Sequence, residues 1–190
     1  MSVALHRQMS LAEFLDWEER QERPWEFDGL APVAMVGGTA AHAAIQGNLT
    51  FSLVGRLRGR PCRFFGSELK VLVAGSVRYP DGLVTCTLPA PGDRVVEQPV
   101  VFFEILSPST AETDRTEKAR EYLATPSVQR YVMLEQGRIA ATMYVRDGDR
   151  WLTVLLFDGD TLDMPEIGVA VPMAELYEDV EFPPATQAEP

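Results

Sequence analysis

The chain has 190 residues, 28 acidic against 17 basic side chains for a net charge of −11, with 46% hydrophobic and 24% charged residues. That length fits one domain with a sizeable core, and the composition is that of an ordinary globular protein. The charge counts against an indiscriminate grip on nucleic acid, whose affinity comes from neutralised phosphates.

Ser10-Leu11-Ala12-Glu13 forms a capping box and predicts a short helix with an apolar stripe of Leu11, Phe14 and Leu15. Trp25–Phe27 and Leu30–Val33 flank Asp28-Gly29, which predicts a hairpin. Thr39 is placed to cap a second helix whose core face reads Ile45, Leu49, Leu53 and Leu57, with His42 and Gln46 on a more polar face. The basic cluster from Arg56 to Arg63 is expected to be a solvated helix end, since cations suit a helix C-terminus; a phosphate-facing role is the alternative.

Strands follow. Phe64-Phe65 with Leu69–Val73 make one, Val77–Cys86 another, and Ala74-Gly75-Ser76 the turn between them. After the loop at Pro89, Pro91 and Gly92, Val100–Leu106 reads as a strand stopped by Ser107-Pro108-Ser109-Thr110. A polar helix is expected from about Asp114 to Ala124, then a strand at Tyr131–Glu135. Ile139–Val145 and Trp151–Phe157 flank Asp147-Gly148 as a β meander, and Met173–Tyr177 as a last short helix. The order predicts an α/β or α+β fold: a mixed β-sheet flanked by helices with additional antiparallel hairpins, in one domain over 1–181. A disordered tail is expected over 182–190.

Cys62 and Cys86 stand apart without CxxC spacing, so neither structural zinc nor a disulfide framework is expected. No apolar stretch nears the roughly 20 residues a membrane helix needs, and the N-terminus lacks the pattern of a secretory signal. A cytoplasmic location without a membrane partner is the expectation.

Glu104 is out of place in its oily strand. A buried carboxylate costs several kcal/mol unless it is hydrogen-bonded, paired or metal-bound. On a strand Glu104 shares a face with Val100, Phe102 and Leu106, while Val101, Phe103 and Ile105 face the other way. Asp81, on the preceding strand, is a natural partner. Two carboxylates on neighbouring strands suit Mg²⁺ or Mn²⁺, with water and a substrate phosphate completing the shell. The bland readings are a strand-end carboxylate for Glu104, a turn residue for Asp81, a surface i,i+4 ion pair for Asp114 and Lys118, and a satisfied core histidine for His42. Glu26 is expected to be an exposed hairpin residue, with a further site carboxylate as the alternative. Glu68 and Lys70 are expected to face solvent, with a place in the cleft for one of them as the alternative. Tyr122 is expected to pack its helix on the sheet.

Trp25–Gly29, the stretch from Met35 to His42, Tyr79-Pro80-Asp81, Glu104–Thr110, Asp114, Lys118 and Tyr122 together resemble the Uma2 family of restriction-endonuclease-like proteins, formerly DUF820, over about Met9 to Tyr177. That family is placed in the PD-(D/E)xK nuclease superfamily. The resemblance implies a restriction-endonuclease-like sheet, a Mg²⁺- or Mn²⁺-dependent phosphodiesterase site and DNA as substrate. It assigns Asp81 and Glu104 as metal ligands and catalytic residues. A strict motif would place Lys at 106, where this chain has Leu106; the resemblance gives that role to Lys118 on the next helix and sets His42 beside the site. The alternative, favoured by Leu106 and the acidic charge, is a nuclease fold without turnover that serves as a binding or assembly module. A second copy of the chain is a candidate partner, through the meander at 139–157.

Overall fold

The computed structural model describes residues 8–35, 37–107 and 110–182. The expected tail lies outside these beyond Phe182, as do Pro108 and Ser109. Helix α1 (Leu11–Glu18) opens on the predicted capping box. Strands β1 (Trp25–Phe27) and β2 (Pro32–Ala34) form the Asp28-Gly29 hairpin, where Gly29 takes a φ of 92° that a side chain would disfavour. Helix α2 (Ala40–Leu57) starts at Thr39, whose hydroxyl accepts from the His42 amide.

The two long strands read from the sequence are each cut in two. Phe64 to Val73 becomes β3 (Arg63–Gly66) and β4 (Lys70–Val73). Val77 to Cys86 becomes β5 (Ser76–Arg78) and β6 (Gly82–Thr85). Pro80 offers no N–H to a ladder, and at Tyr79-Pro80-Asp81 the chain leaves one sheet for another. With β7 (Val95–Val96), β8 (Pro99–Leu106), β9 (Arg130–Glu135), β10 (Ala140–Asp147) and β11 (Arg150–Phe157), the first sheet runs β2-β1-β5-β4-β7 and the second β11-β10-β9-β8-β6-β3. Both are mixed, since β4 pairs with β7 and β8 with β9 in parallel. Strands β12 (Thr161–Met164) and β13 (Val169–Pro172) make a separate ribbon ending in α5 (Met173–Leu176).

The polar helix begins earlier than expected. It runs on from α3 (Ala111–Thr113) through a π-helical turn (Asp114–Lys118) into α4 (Ala119–Leu123). Such wide turns often mark functional positions.

The face alternation of β8 decides how the layers pack. Val101, Phe103 and Ile105 join Ile45, Leu49 and Leu53 of α2 in one core. Phe102 and Leu106 join Tyr122 and Tyr131 in a second, on the opposite face. A third, smaller core seats Phe14 of α1 on Phe27 and Val77. Each fully buried large apolar side chain contributes about 1.5–3 kcal/mol, so β8, buried on both faces, anchors the molecule.

Several expectations are corrected. Cys62 and Cys86, read as isolated, are joined in a disulfide. They flank the β3–β6 register, whose last pair is Arg63↔Thr85. Spacing along the chain could not show a pairing that antiparallel register creates. Lys70 is buried and ion-paired with Glu18 instead of facing solvent, because α1 covers that end of β4. Glu68 is exposed, as expected. Among the described residues no helix is long and apolar enough to cross a membrane.

Candidate active site

The two sheets and α2 enclose a cleft of about 640 Å³, and Asp81, Glu104, Lys118 and His42 all line it. Asp81 stands where the chain passes from β5 to β6. The β6–β8 register pairs Gly82 with Phe103, so one step further brings Asp81 opposite Glu104, on the same face of the sheet. Gly82 beside it makes room for the Phe64 ring, since a Cβ there would sit 2.7 Å from that ring.

Asp81 is held by one oxygen. Its Oδ2 accepts from the Ile105 amide at 2.7 Å and lies 3.1 Å from His42 Nε2. Gln46 donates to the Asp81 carbonyl at 3.0 Å, which fixes the crossover to α2. The hydrogen bond to Asp81 raises the His42 pKa above its ordinary value, burial opposes this, and the Asp81 and Asp114 charges add to the rise. Gly38 makes room for the imidazole, since a Cβ there would meet the ring at 2.9 Å.

Glu104 is also held by one oxygen. Its Oε1 accepts from Lys118 Nζ at 3.0 Å and from the Tyr122 hydroxyl at 2.8 Å. Only 3% of Glu104 is exposed. Burial pushes its pKa well above the usual carboxylate range; Lys118 pulls it down, while Asp81, Asp114 and Glu26 push it up further. Burial alone would lower the Lys118 ammonium, but the surrounding carboxylates outweigh it and the net shift is upward, so Lys118 stays charged.

Two sequence readings fail here. Asp114 and Lys118 do form an i,i+4 pair, at 3.1 Å, but both are buried in the cleft and not on the surface. Glu26, read as exposed, is buried: its Oε1 accepts from the Tyr79 amide at 3.1 Å and its Oε2 from Arg78 at 3.3 Å. Hairpin β1–β2 folds back over β5 through the Phe27↔Val77 pair, which no local pattern announces. The fully buried Arg78 was also missed. Glu121 of α4 accepts from its Nε at 2.7 Å and its Nη2 at 2.9 Å, tying the helix of Lys118 to the first sheet. Tyr122 packs as expected and adds the hydroxyl that grips Glu104.

The donors fit a hard cation. No described residue donates to Asp81 Oδ1 or Glu104 Oε2, so each carboxylate keeps one oxygen for a ligand. Among the described residues no three His, Cys, Asp or Glu side chains stand ready as a cage. That pattern suits Mg²⁺, which takes one or two carboxylates and retains water, better than a cation needing a full protein shell.

Comparison with known proteins agrees with this architecture. The Uma2 family, described as "Putative restriction endonuclease", matches residues 11–174. The protein slr1290 of Synechocystis sp. (strain ATCC 27184 / PCC 6803 / Kazusa) is 34% identical over 183 residues, covering 92% of this chain and 94% of that protein. The protein sll1609 of the same organism is 30% identical over 158 residues, covering 80% and 89%. A crystal structure described as "a putative nuclease belonging to DUF820", from Anabaena variabilis ATCC 29413, superposes with a TM-score of 0.76 over 90% of this chain and 98% of that one. At 18% identity that likeness shows the fold, a mixed α+β architecture.

Proposed function

This chain belongs to the Uma2 family, and from that premise we propose that it is an endonuclease that hydrolyses DNA phosphodiester bonds with Mg²⁺ or Mn²⁺ held by Asp81 and Glu104. The observation that carries this reading is the pair itself: two carboxylates side by side in one cleft, each pinned through one oxygen and open through the other. A divalent ion bound there supplies Lewis acidity and eases deprotonation of the attacking water.

The chain's own residues prepare the geometry. The Ile105 amide and His42 fix the direction of Asp81. Tyr122 and Lys118 fix that of Glu104. The Lys118 ammonium also places a positive charge beside the reacting phosphate, where it stabilises the charge that develops as water attacks. His42 borders the same cleft, and its hydrogen bond to Asp81 favours the protonated imidazole.

The test is cleavage of supercoiled plasmid. Nicking is expected with Mg²⁺ or Mn²⁺ and not with a chelator. Asp81→Asn and Glu104→Gln should each lower the rate by about 10²–10³-fold, the usual cost of removing one group that stabilises developing charge. Undiminished cleavage by the double variant would sink the assignment.

A second reading, a nuclease fold without turnover, is favoured by Leu106. It occupies the strict-motif lysine position and is buried among the tyrosines of the second core. Thermal unfolding separates the two. A working site gains about 2.7 kcal/mol when Mn²⁺ is at 100 times its Kd, and Asp81→Asn abolishes the gain. No stabilisation at millimolar Mn²⁺ would favour the binding module.

A further inference from the structure

Three carboxylates from three different elements converge on one ammonium. Lys118 Nζ lies 3.0 Å from Glu104 Oε1 on β8, 3.1 Å from Asp114 Oδ1 in the π-helical turn and 3.6 Å from Glu26 Oε1 on β1. Asp114 is only 1% exposed, and its Oδ1 is buried without a hydrogen-bond partner. That oxygen faces the ammonium but is misaligned for a hydrogen bond. A buried, unbonded carboxylate oxygen is tolerated only beside positive charge.

The donor set is that of a cation site, three hard anionic oxygens held by three backbone segments. The spacing is that of an ammonium. Mg²⁺ and Ca²⁺ bind oxygen at about 2.0–2.6 Å, closer than any of these contacts. The absence of a ready three-carboxylate cage among the described residues follows, because an ammonium keeps the oxygens apart. The cation that Arg78 adds does not relieve Asp114, since its partners are Glu121, Glu26 and, more remotely, Glu117.

We propose that Lys118 is a tethered cation filling a second cation position beside the Asp81–Glu104 site, and that its removal converts Glu104, Asp114 and Glu26 into a site for a divalent ion. The wild-type cleft therefore takes one divalent ion fewer than its carboxylates can hold. This deepens the metal-site reading, since the two positions share Glu104: no described residue donates to its Oε2, while its Oε1 lies 3.0 Å from Lys118 Nζ. The π-helical turn belongs to the device. The Tyr131 hydroxyl, at 3.0 Å from the Asp114 carbonyl, holds the turn while Asp114 and Lys118 both point inward.

The experiment counts Mn²⁺ bound per full-length chain by electron paramagnetic resonance at mildly alkaline pH. Lys118→Met, which keeps the length and apolar stem of the side chain, should bind one more Mn²⁺ than the wild type. Adding Asp114→Asn should remove the extra ion. In chelator the thermal midpoint of Lys118→Met should fall by about 10 °C, as for a broken buried ion pair in a chain of this size. Mn²⁺ should restore it by more than it raises the wild type. If Lys118→Met is unfolded in chelator, recovery of its folded circular-dichroism spectrum with Mn²⁺ upholds the inference, and no recovery overturns it. Equal Mn²⁺ counts in folded wild type and variant overturn it as well. The wild-type count tests the other reading separately: no ion there would sink the Asp81–Glu104 metal site, while a gain of one ion in the variant would still uphold the tethered cation.

Discussion

The Tyr122 hydroxyl illustrates how much one atom carries in this cleft. Its ring stacks on Phe102 at 4.0 Å and meets Tyr131 edge-on at 5.1 Å, so its place is fixed by packing alone. Burial pushes the phenol well above its ordinary pKa, and the nearby Glu104 adds to that, so it remains a donor. Tyr122→Phe should keep the stacking and lose the bond to Glu104. We expect a stability loss of about 1–3 kcal/mol in urea unfolding, the range for a hydrogen bond to a buried charged group. A loss below about 0.5 kcal/mol would mean that Lys118 alone satisfies Glu104. Single residues were legible only where they broke a local pattern. Glu104 interrupts an apolar run and announces itself. Glu26 interrupts nothing: it sits between Trp25 and Phe27 in a short strand, and its burial comes from β5 and the Lys118 helix, both distant in the chain. Lys70 is hidden for the same reason, by its partner Glu18 on α1.

Elements were legible where their ends carry their own chemistry. Ser10 and Thr39 cap the helices they were expected to cap, and the Asp28-Gly29 and Asp147-Gly148 hairpins form. The break at Pro80 was readable from the missing N–H, yet the apolar content on both sides favoured one strand. The π-helical turn had no sequence signal, since i,i+4 spacing of Asp114 and Lys118 fits an ordinary helix equally well. How elements are tied together is set by pairs far apart in the chain. Arg56 of α2 grips Glu175 of α5 through its Nη1 and Nη2, at 2.7 and 2.6 Å. The Arg56 hydrogen bond holds the Glu175 carboxyl below its ordinary range, with help from the Ser52 hydroxyl and against a small cost of burial. A pKa lowered in the folded state contributes stability above the unfolded value of about 4.3, and the contribution is lost as pH falls through the folded value. Glu175 is 29% exposed, and solvent screening limits the pair to about 1 kcal/mol or less. Urea unfolding of wild type and Glu175→Gln should thus differ near neutrality and converge toward about pH 3. A difference that widens in acid would contradict the pairing.

At the scale of the molecule, the cleft repeats in miniature the charge of the chain. A net charge of −11 repels a polyanion, and the cleft adds Asp81, Glu104, Asp114 and Glu26 against Lys118 and Arg78. The densest basic stretch does not line this cleft. Arg56 is spent on Glu175, while Arg60 bonds the Gly168 carbonyl and Arg63 that of Arg60. Acidity overall was plain from composition; that it concentrates where the two sheets meet depended on the crossover at Asp81, which only the paired strands reveal. The consequence concerns DNA binding before any cleavage. If phosphate enters this cleft, cations must come from solution, and the chain supplies few counterion-releasing contacts of its own. Fluorescence anisotropy with a labelled duplex should show negligible binding in chelator. Added Ca²⁺, a hard divalent ion that also takes carboxylate oxygens, should bring binding in. Because each neutralised phosphate contributes about −0.9 to the slope of log K against log salt, that slope should be shallow. Tight binding in chelator with a steep slope would reveal a basic DNA surface away from the cleft, and the substrate would then be held by a face other than the one that carries Asp81 and Glu104.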